Sequence, residues 1–542
     1  MSTRSLQLAP GAARGERLAR GPDRSRGVLG DALVRWWLVS IALAVASALL
    51  LPTVPSYDPF SWIVWGREVT DPHLSFFVGD GPSWKPLPFA FTTVYSLFGS
   101  LSPTLWVITA RAGGIAGLIG MWRLAALCCR RASLPAWSGW VAGAAACAGI
   151  VLTAPASGLA YYFFRGTSEP LLIGVWVWAI ERFIQRRHWQ AYMLVALEGL
   201  MRPESWAFLV LYAAWLWWKV PGMRAWVLVG LAAQPFGWFV PPWISTGHAF
   251  LAANHAHDYN GQLGSDPLKT VLLRGEDIQP LPSLGFAIVA MGFGIWGARR
   301  WPRSPRALAA SVATDRTETP LVLGLAGATI LWWAAVVAET MDGYPGLQRF
   351  YLPGAATMCI LSGYGLARTA TLAGELAARL ARAIRGRRPA TADGGRLRLG
   401  VALAVIAAVA VLSVHFVSAR WAYAKAQEPI AHTAVGRIAQ LGEAVKLLGG
   451  KAAILPCKSS EVTINHSLQT ALAWKLGTTL ERVQTVLTVP GIAFVGPHDS
   501  IDGIAPPIAF RYRAVLIRRV GAWQIYRVYR AGPHPGGRCV GR

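Results

Sequence analysis

The stretch KPLPFAFTTVYSLF, residues 85–98, decides how the rest of the chain is laid out. It is apolar enough to be read as a membrane span, but it is short and opens on a Lys-Pro-Leu-Pro segment. A bilayer crossing needs roughly 20 apolar residues, so the stretch is predicted to be a helix lying in the membrane interface. Counting it as a span would move every later segment to the opposite side. Most of the downstream arginines would then face outward, against the tendency of Lys and Arg to stay on the cytoplasmic side.

With that parity, eleven apolar runs are expected to cross the bilayer: 36–54, 103–127, 137–153, 169–184, 192–201, 206–218, 226–244, 284–297, 320–337, 351–366 and 400–417. The outer face then carries only Arg67, Lys85, Arg165, Arg202, Lys269, Arg274 and Arg349 before the C-terminal region. The inner face receives the clusters around Arg130, Arg186 and Arg299 and the basic loop 368–398. Residues 1–35, with seven arginines and little apolar periodicity, read as a disordered basic cytoplasmic tail. The basic leader is long and no small-residue cleavage site follows 36–54 cleanly, so that span is expected to be retained as an anchor.

Composition agrees. Of the 542 residues 54% are hydrophobic and 15% charged, which excludes a soluble protein of this size, and 26 tryptophans suit interfacial aromatic belts. A net charge of +25 invites a nucleic-acid reading, yet the basic residues are scattered through short loops. Membrane topology accounts for them, and no nucleic-acid partner is expected. The fold class is therefore a polytopic α-helical membrane protein with a small C-terminal extracytoplasmic α/β domain. The membrane domain is assigned to 36–418, with an outer loop at 55–102, and the C-terminal domain to 419–542. In the latter, 452–455, 514–517 and 523–528 read as strands and 467–476 as a helix opened by a Ser cap. The chain is placed in the plasma membrane, N-terminus inside and C-terminal domain outside.

The chemistry gathers on the outer face. Residues 57–88, YDPFSWIVWGREVTDPHLSFFVGDGPSWKPLP, hold four acids (Asp58, Glu68, Asp71, Asp80), His73 and Lys85, far more than a connection requires. Glu169 opens a later span in RGTSEP, Arg202 and Glu204 lie in RPE, and Arg349 lies in QRFY. Each has an ordinary reading: a turn at Asp58-Pro59, a snorkelling lysine, a helix cap at Glu169, an Arg202–Glu204 pair closing a turn, an arginine on lipid headgroups. Their convergence on one face is what suggests a site. Two carboxylates with three cations suit an anionic phosphate ligand and a proton to be removed. Asp71, Asp80 and His73 read first as solvated loop residues, with membership of a metal site as the alternative for any of them. Six cysteines make no zinc spacing; Cys128, Cys129, Cys147 and Cys359 fall in or beside spans, while Cys457 and Cys539 form either a disulfide or two separate thiols.

These motifs resemble the GT-C membrane glycosyltransferases that use polyprenyl-phosphate sugars, especially the lipid A aminoarabinose transferases and protein O-mannosyltransferases. The resemblance spans roughly residues 36–420. It rests on Asp58 soon after the first span, LysProLeuPro at 85–88, LeuPheGly at 97–99, Arg111, SerGluProLeuLeu around Glu169, ArgProGlu at 202–204 and ArgPheTyrLeuPro at 349–353. It implies a GT-C-like fold and an inverting transfer from a polyprenyl-phosphate sugar to a glycan, lipid or protein hydroxyl of the cell envelope. Asp58 and Glu169 would be catalytic, and Lys85, Arg349 and Arg202 would bind the donor phosphate. Arg111, Glu204, Glu68 and His73 would support the site. The family's Asp-Glu pair is Asp58-Pro59 here, and Leu87 displaces the second proline of its Lys-Pro-Pro. These departures leave open whether a divalent metal sits on Asp58 and Glu169. A transporter or lipid flippase, and a non-catalytic envelope-assembly protein, are the competing readings. The first predicts charges at mid-membrane and related halves, whereas these charges lie at one face and no internal repeat is seen.

Overall fold

The computed structural model describes residues 31–71, 74–76, 82–153, 158–258, 266–279, 281–299, 318–385, 391–496 and 512–530. Helix α1 (Ala32–Leu50) begins a few residues before the expected first span, because the Asp31 side chain accepts a hydrogen bond from Leu33 N at 2.8 Å and caps it. The stretch expected as an outer loop is helical in two places, α2 (Tyr57–Arg67) and α3 (Pro86–Tyr95). Helix α3 has 10 residues. At about 1.5 Å per residue that is roughly 15 Å, half of a bilayer's hydrocarbon thickness. Gly99, at φ 54°, then turns the chain into α4 (Ser102–Arg131).

There follow α5 (Ala136–Val151), α6 (Leu159–Arg165), α7 (Glu169–Ile184), α8 (His188–Gly199) and α9 (Trp206–Lys219). Next come α10 (Arg224–Thr246), α11 (Leu251–Asp258), α12 (Pro267–Ile278), α13 (Leu281–Arg299), α14 (Thr319–Met341), α15 (Leu352–Arg385) and α16 (Thr391–Leu447). Each of the eleven apolar runs falls largely on a helix, with 36–54, 137–153 and 192–201 running a few residues past the helix end. Seven helical stretches among the described residues are long and apolar enough to cross a membrane, so this is a multi-pass membrane protein. Helices α5, α7, α8 and α9, with 12 to 16 residues, are shorter.

Close backbone contact fixes α7 against α4. A Cβ on Gly113 would sit 2.3 Å from Leu171 Cα, and one on Gly174 would sit 2.3 Å from Gly113 O, so only glycine permits this approach. Arg111 of α4 is fully buried and grips the end of α1. It donates to Ser47 O (2.8 Å), Ser47 Oγ (2.9 Å), Leu51 O (2.9 Å) and Thr53 Oγ1 (3.0 Å). Ser47 O also accepts from Leu51 N at 2.8 Å, whereas Leu51 O lies just past the last residue of α1, where the helix has no further turn to bond it.

The expected boundary at 418/419 falls inside α16, which runs unbroken for 57 residues. The composition changes there, but Ala, Lys, Gln and Glu continue a helix readily. It stops only where Gly449 and Gly450 take φ of 88° and 72°. That glycine turn also corrects the expected strand at 452–455, which falls at the short helix α17 (Gly450–Ile454). Then come β1 (Val462–Thr463), α18 (Gln469–Leu476), β2 (Val483–Gln484), β3 (Gly491–Val495), β4 (Tyr512–Val520) and β5 (Trp523–Arg530). The turn before α18 is capped by the side chain of Asn465 rather than by Ser467, whose hydroxyl donates to Asn465 Oδ1. The sheet order is β2-β1-β3-β5-β4, with β1 parallel to both neighbours and β5 antiparallel to both of its own. Cys457 is disulfide-bonded; Cys539, its expected partner, lies outside the described residues. The other four cysteines are free thiols.

This C-terminal unit is seated on α2. Tyr57 stacks on His466 at 4.3 Å, Tyr57 Oη donates to Gln469 Oε1 at 2.8 Å, and Thr470 Oγ1 donates to Tyr57 O at 2.9 Å. Arg67 lies over Trp474 and donates to Thr478 O at 2.9 Å. The helix that begins beside Asp58 is thus held at both ends.

Candidate active site

Helix ends converge on a cavity of about 800 Å³, lined in part by Asp58, Lys85, Arg165, Arg202 and Arg349. Asp58 occupies the first turn of α2. Its Oδ2 meets Arg349 Nη1 at 3.3 Å and Ser83 Oγ at 3.3 Å. Arg349 rides on a short 3₁₀ turn, Gln348–Tyr351, whose carbonyls are bonded by two tryptophans of α14: Trp332 Nε1 to Phe350 O at 2.7 Å and Trp333 Nε1 to Tyr351 O at 3.2 Å.

Lys85 precedes α3 and is anchored by its neighbours. Trp84 packs among Phe76 and Phe89, and Trp62 Nε1 donates to Ser83 O at 2.9 Å. The ammonium donates to Ser168 Oγ at 2.6 Å, lies 3.5 Å from Glu169 Oε1, and sits 5.4 Å from the Trp62 ring centroid. Burial lowers its pKa to about 8, with Glu169 opposing that shift. Arg202 Nη2 reaches the same Glu169 oxygen at 2.9 Å, and its guanidinium stacks on Phe350 at 4.2 Å.

The two expected catalytic carboxylates are therefore in different situations. The Asp58 side chain is 20% exposed, whereas that of Glu169 is 1% exposed and lies behind the cavity wall, tied to Lys85 and Arg202. Among the described residues Asp58 is the one carboxylate in the lining. Glu169 can hold two cations in place; it does not face the cavity.

Of the expected supporting residues, Arg111, Glu204 and Glu68 do not line the cavity. Arg111 clamps α1, as above. Glu204 is buried behind Arg202, Oε1 to Nη1 3.7 Å. Glu68 pairs with Arg67 at 2.6 Å at the far end of α2, where burial raises its pKa to about 7. Neither acid lines the cavity. His73 and Asp80 lie outside the described residues. Guanidinium and ammonium groups contact Asp58 Oδ2 and Glu169 Oε1, while Glu169 Oε2 is buried with no hydrogen-bond partner among the described residues. Among those residues no group of three or more His, Cys, Asp or Glu could hold a metal.

Sequence reasoning missed several participants. Ser83 and Ser168 bind Asp58 and Lys85, Arg165 adds a cation to the wall, and His466 and Ser467 bring the C-terminal unit into the lining. Arg165 and Ser168 both stand in the RGTSEP segment already singled out for Glu169. The serines and His466 reach the site through long-range packing and carry no local signal.

Fold and site together define a multi-pass helical membrane protein with a cation-lined cavity at its helix ends. In a comparison with solved structures, the crystal structure of ArnT from Cupriavidus metallidurans bound to undecaprenyl phosphate aligns at 15% identity and TM-score 0.48. It covers 91% of this chain and 98% of that one. The apo structure of the same ArnT aligns at 14% identity and TM-score 0.49, covering 92% and 98%. No protein-family profile matches the chain, and no curated protein matches it in sequence.

Proposed function

We propose that this protein is a membrane glycosyltransferase that moves a sugar from a polyprenyl-phosphate donor to an acceptor hydroxyl of the cell envelope, with inversion. The observation that carries the reading is the cavity itself, whose lining among the described residues pairs a single carboxylate, Asp58, with several cations at the ends of helices. Charge placed there at the cost of desolvation implies a use for it.

The acceptor oxygen attacks the anomeric carbon as the bond from that carbon to the phosphate oxygen breaks. The hydroxyl proton passes to Asp58, and negative charge grows on the departing lipid phosphate. Asp58 works by proximity and orientation, with Arg349 and Ser83 fixing its carboxylate. Lys85, Arg202 and Arg349 stabilise the leaving phosphate as its charge develops. Glu169 keeps Lys85 and Arg202 aimed and charged in a buried setting. The motif resemblance thereby gains a physical footing, with one change: Glu169 is a positioning residue.

The test is sugar transfer from radiolabelled polyprenyl-phosphate sugars to envelope acceptors. It uses membranes containing the wild type or Asp58→Asn at matched protein levels. Removing a general base lowers the rate by about 10²–10⁴-fold. Transfer that requires the protein and collapses in the variant supports the reading. Equal transfer by both removes Asp58 from the mechanism. A broad donor panel that yields no protein-dependent transfer favours transport of a lipid instead.

A further inference from the structure

The cations of the cavity are not equivalent. Lys85 and Arg202 share Glu169 Oε1, and Arg349 is paired with Asp58. Arg165, at the end of α6, also lines the cavity, and among the described residues it makes no ion pair. Its guanidinium lies 4.1 Å from the Tyr161 ring centroid, and its Nε is buried with no hydrogen-bond partner there. Stacking of this kind holds an arginine in place while leaving its terminal nitrogens to a ligand.

The backbone beneath Arg165 is tied to both sides of the site. Ser56 N, two residues before Asp58, donates to Arg165 O at 2.9 Å. Gly166 takes φ +58°, and Trp106 Nε1 donates to its carbonyl at 2.6 Å. Two and three residues further on, Ser168 and Glu169 hold Lys85. One short segment thus presents a cation without a carboxylate partner, next to three cations that each have one. Such a group is suited to an anion brought in by a ligand, because pairing with it releases no internal partner.

We propose that Arg165 binds a phosphate-type anionic group carried by one of the two substrates. The inference rests on the proposed function for what those substrates are, but not for the existence of the anion site. Either the donor's phosphate or an anionic group on the acceptor supplies this chemistry, and the two are separable by experiment.

The full chain in lipid nanodiscs would be titrated with radiolabelled polyprenyl monophosphate and, as a control, with the uncharged polyprenol. The proteins are the wild type, Arg165→Gln and Arg165→Lys. Removing one charge-assisted hydrogen bond from a desolvated site lowers affinity by about tenfold or more. In the donor arm, Arg165→Gln weakens the phosphate by that factor and leaves the polyprenol unchanged, and Arg165→Lys recovers part of the loss. In the acceptor arm, lipid-phosphate binding is unchanged and the acceptor KM in the transfer assay rises about tenfold. Equal weakening of phosphate and polyprenol, or a folded Arg165→Gln with neither quantity altered, overturns the proposal. Should Arg165→Gln fail to fold, Tyr161→Leu carries the test, because it keeps the charge and removes its support. A selective loss for the phosphate or a raised acceptor KM supports the site, and no change refutes it. A wild type that binds the lipid phosphate but transfers no sugar refutes the transferase reading alone.

Discussion

Replacing Glu169 by Gln should silence Lys85 as effectively as removing it. Lys85 is 4% exposed and Glu169 is 1% exposed, with 3.5 Å between ammonium and carboxylate oxygen. At an effective dielectric of about 20, that separation corresponds to roughly 5 kcal/mol of attraction, or about 3.5 pK units. Lys85 already titrates at about 8 despite this help. Without the carboxylate, burial acts with less opposition and the pKa falls further, so the side chain is expected to be an uncharged amine at neutral pH. Arg202 keeps Glu204 at 3.7 Å, and loss of the proton removes the unpaired charge at Lys85, so the variant is expected to fold. The assay is a double-mutant cycle on polyprenyl-monophosphate binding with Glu169→Gln, Lys85→Met and the double variant. Each single change should weaken binding by about tenfold or more at pH 7, and the double variant should be little worse than either. Binding by Glu169→Gln should recover on acidification as Lys85 regains its proton, whereas Lys85→Met should not recover. Fully additive losses, or unchanged binding by Glu169→Gln at pH 7, would refute the reasoning.

Three further outcomes are expected, two at Lys85 and one at Arg111. In the wild type, binding of a lipid monophosphate should decline as pH rises through about 8, where Lys85 loses its charge, and Lys85→Met should flatten that step. The stability term has the opposite sign. Between about 8 and the ordinary 10.5, the unfolded chain holds a proton that the native chain has released, so this group makes the fold more stable as pH rises. Arg111→Met should destabilise by about 1–3 kcal/mol, since the part-buried acceptors Leu51 O and Thr53 Oγ1 lose this donor. Thermal unfolding in nanodiscs would register the loss. Lipid-phosphate affinity measured below the transition should stay at the wild-type level, because Arg111 grips α1 and does not touch the cavity.

What was legible in the chain had a local physical signature. Apolar runs marked the membrane helices because each must cover its surface with hydrocarbon. Asp58, Lys85, Arg202 and Arg349 stood out because a charged group at a helix end in a membrane protein is costly. All four line the cavity. Orientation was not legible. Glu169 shares the motif logic of Asp58, yet the Gly113–Gly174 contact presses α7 onto α4, and Glu169 lies behind the wall. Arg165 carries no local signal for chemistry, since its significance depends on which neighbours are already paired. Residues 452–455 misled because an apolar run says nothing of a glycine turn just before it. The change in composition at 418 likewise hid an unbroken helix.

That helix acts as a phase lock. At about 1.5 Å per residue its 57 residues extend roughly 85 Å. Gln427, Ile430, Ala431, Ala434 and Ile438 recur at three- and four-residue intervals along one stripe, and that stripe forms part of the cavity wall. Each residue inserted upstream of them would turn the stripe by about 100° and lift it by about 1.5 Å. Seven inserted residues would nearly restore the angle but raise the wall by about 10 Å. No insertion keeps both, so the span between membrane and C-terminal unit can change in sequence but not in length without remaking the cavity it encloses.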